Sequence, residues 1–216
     1  MKVIKAMNKW YDHYMKKIND SGGIINYKNH KISYKLPLLE LIKKYAKNKK
    51  IMEVGSGVGI SLIELSRQGY QVIGIENDVQ MLNLSLRLAK EFDSDIKVIN
   101  ADLTNHDYSN YSIDVIFSNG VMEHFSDSEI IDTLNKQLAS NAYIIVSIPT
   151  DFFKPEMAYN GDERFLSPNE WVNIIEKSNG EIVEMYSYDD KVIEIKKVNN
   201  FSTLEDSPRF SVFIIK

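Results

Sequence analysis

The stretch Ile51-Met52-Glu53-Val54-Gly55-Ser56-Gly57-Val58-Gly59 decides the fold of this 216-residue chain. Its first half reads as a short buried strand and its second half as a loop with glycine at alternate positions. An apolar helical pattern, Ile60, Leu62, Ile63 and Leu65, follows at once. Glycine lacks Cβ, tolerates positive φ and lets backbone approach a ligand. Strand, glycine loop and helix start, in that order, build a nucleotide cradle at the carboxyl edge of a parallel sheet. Two common cradles do not fit. The dinucleotide fingerprint needs glycine at 55, 57 and 60, and position 60 is Ile. A P-loop needs Gly-Lys-Ser/Thr, which is missing.

An acid, Glu53, sits inside the strand two places before the first glycine. A carboxylate there repels a pyrophosphate and suits a ligand carrying an ammonium or sulfonium group. Tyr70-Gln71-Val72-Ile73-Gly74-Ile75 reads as a second strand, and it ends in Glu76, twenty-three positions after Glu53. An acid at that point can grip a ribose diol, because two carboxylate oxygens accept from two neighbouring hydroxyls. Ile96 to Asn100 reads as a third strand, followed by Asp102 and Leu103. Val115 to Phe117 gives a fourth, broken by Ser118-Asn119-Gly120 and followed by Val121-Met122-Glu123-His124.

This series resembles the class I S-adenosylmethionine-dependent methyltransferases of small-molecule type, over about residues 37 to 188. The resemblance implies that Glu53, Gly55, Ser56 and Gly57 surround the methionine half of S-adenosyl-L-methionine. It implies that Glu76 and Asn77 hold the ribose and the edge of the adenine, and that Asp102 and Leu103 hold the adenine itself. Asn119 is expected near the methionyl amino group. The Asn/Asp-Pro-Pro-Tyr/Phe motif of DNA amino-methyltransferases is missing after strand four. The motifs specify a cofactor and not an acceptor.

The expected architecture is a single Rossmann-like α/β domain over residues 1–216. Its doubly wound, mostly parallel sheet has seven strands, the last one antiparallel. Residues 1–36 form an amino-terminal helical cap, with Trp10, Tyr11, Tyr14, Met15 and Ile18 near helical spacing. A helix over 37–48 starts with Pro37 in its first turn. Capping boxes at Ser126/Glu129 and Ser167/Glu170 open two later helices. The stretch 149–170 is expected to form a wall or lid of the acceptor site. It carries Phe152, Phe153, Tyr159, Asp162, Arg164 and Phe165.

Composition sets bounds. Apolar residues make up 44% and charged residues 26%, as in ordinary globular domains. Without cysteine there are no disulfides and no thiolate chemistry. Neither a signal-peptide core nor an apolar run of membrane-span length occurs, so the expectation is a cytoplasmic protein with no membrane partner. The first fifty residues hold thirteen lysines, no arginine and three acids. Scattered lysines without arginine suit a solvated helix face better than a nucleic-acid surface, so nucleic acid is not the expected partner. The oligomeric state is left open, a homodimer included.

Methyl transfer from a sulfonium needs alignment more than protein functional groups. His124 is the best-placed general base, since imidazole titrates near neutral pH, and Glu123 is second. Asp127, Glu129 and Asp151 do not make a clustered acid set, so no metal is expected. The expected function is transfer of a methyl group to an oxygen or nitrogen of a small molecule. The alternatives are an RNA or protein methyltransferase using the basic amino-terminal segment, and a non-catalytic binding module that keeps the pocket.

Overall fold

The computed structural model describes residues 2–158, 161–204 and 206–216. Helix α1 spans Lys2–Asp20 and α2 spans Ile24–Tyr45. Strands and helices then alternate: β1 (Lys50–Val54), α3 (Ile60–Arg67), β2 (Gln71–Glu76), α4 (Val79–Glu91), β3 (Lys97–Asn100), β4 (Val115–Asn119), α5 (Asp127–Leu138), β5 (Tyr143–Pro149) and α6 (Pro168–Ile175). Three strands close the chain: β6 (Ile182–Asp189), β7 (Glu194–Val198) and β8 (Phe210–Ile215). The sheet order is β3-β2-β1-β4-β5-β8-β6-β7. Strands β3, β2, β1, β4 and β5 pair in parallel, whereas β8 is antiparallel to both β5 and β6, and β7 is antiparallel to β6.

Successive strand residues face opposite layers. Ile51, Val115, Phe117 and Ile145 join the core under α1 to α4, while Met52, Val54, Ile116 and Ile144 join the core under α5 and α6. The chain order reverses between β1 and β4. In open α/β sheets, ligands bind outside the carboxyl ends of the strands at such a switch point.

Two sequence expectations are corrected. The sheet has eight strands, because Glu194–Val198 pairs on the outer side of β6. Only Ile195 and Val198 are apolar there, so an edge strand with one partner leaves little hydrophobic signal. The second helix starts at Ile24 and carries Pro37 in its interior. Tyr27 and Ile32 before the proline and Leu38, Leu39, Leu41 and Ile42 after it are all buried, which holds the helix together despite the lost hydrogen bond. The expected cap boundary at residue 36 therefore falls inside one helix. Both expected capping boxes are formed, at Ser126/Glu129 and Ser167/Glu170. Lysines of the amino-terminal helices pair with the body: Lys28 lies 3.3 Å from Glu64, and Lys44 lies 3.1 Å from Glu184.

The third glycine of the loop has a packing role. Gly59 caps α3 at φ +71, and a Cβ there would lie 2.9 Å from the Ser85 Cβ of α4. Gly59→Ala combines a left-handed backbone with a contact that must shift, and should cost about 1–3 kcal/mol. In thermal unfolding, that lowers Tm by about 2–4 °C for each kcal/mol. An unchanged Tm would show that α4 yields freely.

Candidate active site

The glycine loop is tied to the sheet before any ligand is considered. The Gly55 and Ser56 amides donate to the Ile75 carbonyl at 2.9 and 3.1 Å. Glu76, at the end of β2, accepts from the Gly57 amide at 2.8 Å and from the Asp78 amide at 2.9 Å. Its carboxylate thus links the loop to the start of α4, where Asp78 is the N-cap. Each oxygen keeps a further lone pair for another donor. Glu76 is buried, and that burial raises its pKa against the opposing pull of the two amides.

These residues open onto a cavity of about 280 Å³. Gly55, Gly57, Glu76, Asn77, Asp102, Leu103 and His124 all line it, although they come from four separate segments. The Asp102 carboxylate is already engaged, accepting from the Thr104 amide and hydroxyl at 2.9 and 2.8 Å. Those bonds hold its pKa below the usual range despite partial burial. At the far end, Trp10, Phe125 and Asp162 join His124. His124 Nδ1 lies 2.9 Å from Asp162 Oδ1, and the Trp10 ring meets the imidazole edge-on with centroids 5.6 Å apart.

A second cavity of about 120 Å³ adjoins the first, sharing Tyr14 and Gly55 with it. Glu53, Ser56 and Asn119 line this one, together with Lys31 and Lys35 of α2. Glu53 is 3% exposed, and its Oε2 has no hydrogen-bond partner. Burial pushes its carboxyl up to about 7, with the Lys35 charge opposing. Lys35 donates to the Ser61 hydroxyl at 3.0 Å. Burial, with Lys17 and Lys35 nearby, pushes Lys31 down to about 8.

Glu123 lines neither cavity. It is 4% exposed and lies behind Gly120, where a Cβ would stand 3.4 Å from its Oε1. Sequence spacing assigns no site role to Trp10, Tyr14, Lys31 or Lys35, and places Asp162 only within the expected acceptor-site wall at 149–170. The first two sit in the amphipathic pattern of α1, which marks a packed face without saying what it covers. Tyr159 lies outside the described residues. Of the acids weighed for a metal, Asp127 pairs with Arg164 at 2.6 Å and Glu129 closes a capping box. Among the described residues, His124, Asp162 and Glu163 do bring three metal-capable atoms within 4.8 Å of one another. No helix among the described residues is long and apolar enough to cross a membrane.

A family model described as a methyltransferase domain matches residues 28–184, well over half of the chain. The chain belongs to the class I S-adenosylmethionine-dependent methyltransferases. Its cofactor is S-adenosyl-L-methionine. This methyltransferase is 30% identical over 90 residues to phosphoethanolamine N-methyltransferase 3 of Arabidopsis thaliana, a match covering 41% of the chain and 18% of that protein. It is 24% identical over 184 residues to the ubiquinone biosynthesis O-methyltransferase of Pelagibacter ubique, covering 76% and 70% of the two chains. Among solved structures, an S-adenosylmethionine-dependent methyltransferase from Clostridium acetobutylicum superposes with TM-score 0.68 at 10% identity. That superposition covers 95% of this chain and 97% of the other. The methyltransferase thus spans less than a fifth of its plant relative.

Proposed function

We propose that the protein transfers a methyl group from S-adenosyl-L-methionine to an oxygen or nitrogen of a small molecule. One observation carries this reading: two cavities meet at the glycine loop, and the smaller is lined by a buried Glu53 oxygen without a partner and by two lysines. In the smaller, the unpartnered Glu53 oxygen suits the methionyl ammonium, with Asn119 beside it, and Lys31 and Lys35 suit the methionyl carboxylate. In the larger, Glu76 and Asn77 hold the ribose, and Asp102 and Leu103 hold the adenine. A small acceptor fits because α1 and the segment carrying Asp162 enclose the far end, and no Lys or Arg is among the described residues lining that cavity. The two named relatives, one an N- and one an O-methyltransferase, support either accepting atom.

The bound cofactor supplies an electrophilic methyl carbon whose bond to sulfur breaks with the electron pair left on sulfur. The protein binds, orients and excludes water. Asp162 holds the imidazole through Nδ1, so that Nε2 carries the lone pair that takes the acceptor's proton. Glu123 stands behind it as a second carboxyl.

The lysines are tested with a ligand pair. S-adenosylhomocysteine carries the amino-acid head and 5′-methylthioadenosine lacks it. Lys31→Met with Lys35→Met should weaken S-adenosylhomocysteine binding by about 10–100-fold in calorimetry, the worth of one or two charged hydrogen bonds, and leave 5′-methylthioadenosine nearly unchanged. Equal losses for both ligands would remove the lysines from that role.

Glu53 makes binding proton-linked. Its folded pKa is raised to about 7, so the free protein holds a proton there at pH 6. Between the unfolded carboxyl value and pH 7, the folded state binds more protons, so stability falls as pH rises through that window. An ammonium placed beside Glu53 reverses the shift and expels the proton. Calorimetry at pH 6 in buffers of different ionisation enthalpy should therefore show proton release on S-adenosylhomocysteine binding, reduced in Glu53→Gln. No buffer dependence would take the ammonium away from Glu53.

A further inference from the structure

The acceptor end of the larger cavity has a consistent electrostatic character. Trp10, Val121 and Phe125 give it apolar walls, and His124 and Asp162 are the polar groups on its rim. Behind the Gly120 wall lies Glu123, a carboxyl buried to 4% exposure whose Oε2 has no hydrogen-bond partner. Burial, with the charges of Glu163 and Asp162 adding, pushes Glu123 up to about 8. Arg164, the nearest cation in sequence, is turned to Asp127 and to the Phe125 carbonyl, both at 2.6 Å. An anionic acceptor would meet the Asp162 carboxylate here, and no Lys or Arg is among the described residues lining the cavity. Glu123 itself lines neither cavity, so the charge that an acceptor meets directly is that of Asp162.

From this, and resting on the methyltransferase reading above, we infer that the acceptor is a small amine that enters as its ammonium, received between the Trp10 ring and the Asp162 carboxylate. An aromatic face and a carboxylate together recognise an alkylammonium, and indole is the strongest of the aromatic partners. The same His124, Asp162 and Glu163 atoms could attract a divalent ion, but Trp10 and Phe125 contribute nothing to a metal and a great deal to an organic cation. The proton accounting closes. The ammonium gives one proton to the imidazole of His124, and the freed nitrogen lone pair forms the new N–C bond. The C–S bond breaks with its pair on sulfur, leaving a methylammonium and a neutral thioether.

The test uses the full chain saturated with S-adenosylhomocysteine, titrated in a calorimeter with matched probes. These are 2-phenylethylamine, 2-phenylethanol and phenylacetate, together with propylamine, propanol and propionate. The amine of each scaffold should bind at least about 10-fold more tightly than its alcohol, the equivalent of one paired charge, with the carboxylate weakest. Asp162→Asn should shrink that preference and leave S-adenosylhomocysteine affinity within a few-fold of native. The Asp162 side chain is 61% exposed, so this variant should fold as the native chain does. Binding of the alcohols or carboxylates as tight as the amines, no binding by either amine, or an unaltered preference in Asp162→Asn overturns the inference. So does manganese chloride occupying the site and excluding the amines. Failure to bind S-adenosylhomocysteine would strike the cofactor reading first, and this one with it.

Discussion

Glu76→Ala abolishes cofactor binding while the fold survives: that is the expected result. The carboxylate is doubly engaged, taking the Gly57 amide on one oxygen and the Asp78 amide on the other. It holds the glycine loop against the start of α4 and also offers its remaining lone pairs to a ribose diol. Alanine removes both functions. Charge-assisted hydrogen bonds contribute about 1.5–3 kcal/mol each, so losing two amounts to a 100-fold or greater drop in S-adenosylhomocysteine affinity. Glu76→Gln is the milder change, since its amide keeps one acceptor oxygen for one of the two amides and loses the charge. It should bind less weakly than Glu76→Ala, about 10-fold below the native protein. Circular dichroism and calorimetry on both variants decide the matter. An affinity for Glu76→Ala within a few-fold of native would remove Glu76 from the cofactor's ribose.

The second large effect is on turnover. His124→Ala should slow methyl transfer by about 10²–10⁴-fold, the usual worth of a positioned general base. S-adenosylhomocysteine affinity should change by no more than a few-fold, because the glycine loop, Glu53 and Glu76 remain. Asp162→Asn should cost less in rate. It keeps an acceptor for Nδ1 and loses the charge that favours the imidazolium formed in the step. The acceptor for this assay is found by mass spectrometry of small molecules that co-purify with the protein and gain a methyl group. A single-turnover measurement separates chemistry from release. Native turnover in His124→Ala would leave the proton to another group, with Glu123 next in line.

Much of the fold was legible from local spacing. The glycine loop, the acid at the end of β2 and both capping boxes are encoded within a few residues of the features they mark. The residues proposed for the cofactor end stand out for the same reason, since Glu53, Gly55, Gly57 and Glu76 lie in or next to the strands that place them. At the acceptor end the sequence singles out His124 and the stretch 149–170 that carries Asp162, but not the contacts between them. Trp10 reaches His124 across more than a hundred residues of sequence, and Asp162 reaches it from a connection with no periodicity. Lys31 and Lys35 registered only as part of an excess of lysine, because nothing in their spacing shows that α2 carries them beside Glu53. The edge strand β7 escaped for a different reason: it buries too little apolar surface to leave an alternating pattern.

Tyr14 has a kinetic consequence. It borders both cavities, and its hydroxyl stands 3.8 Å from where a Cβ on Gly57 would be. Whatever lies along the glycine loop is therefore covered by the first helix of the chain. Release of the spent thioether is therefore expected to depend on how firmly α1 seats on α2 and α4.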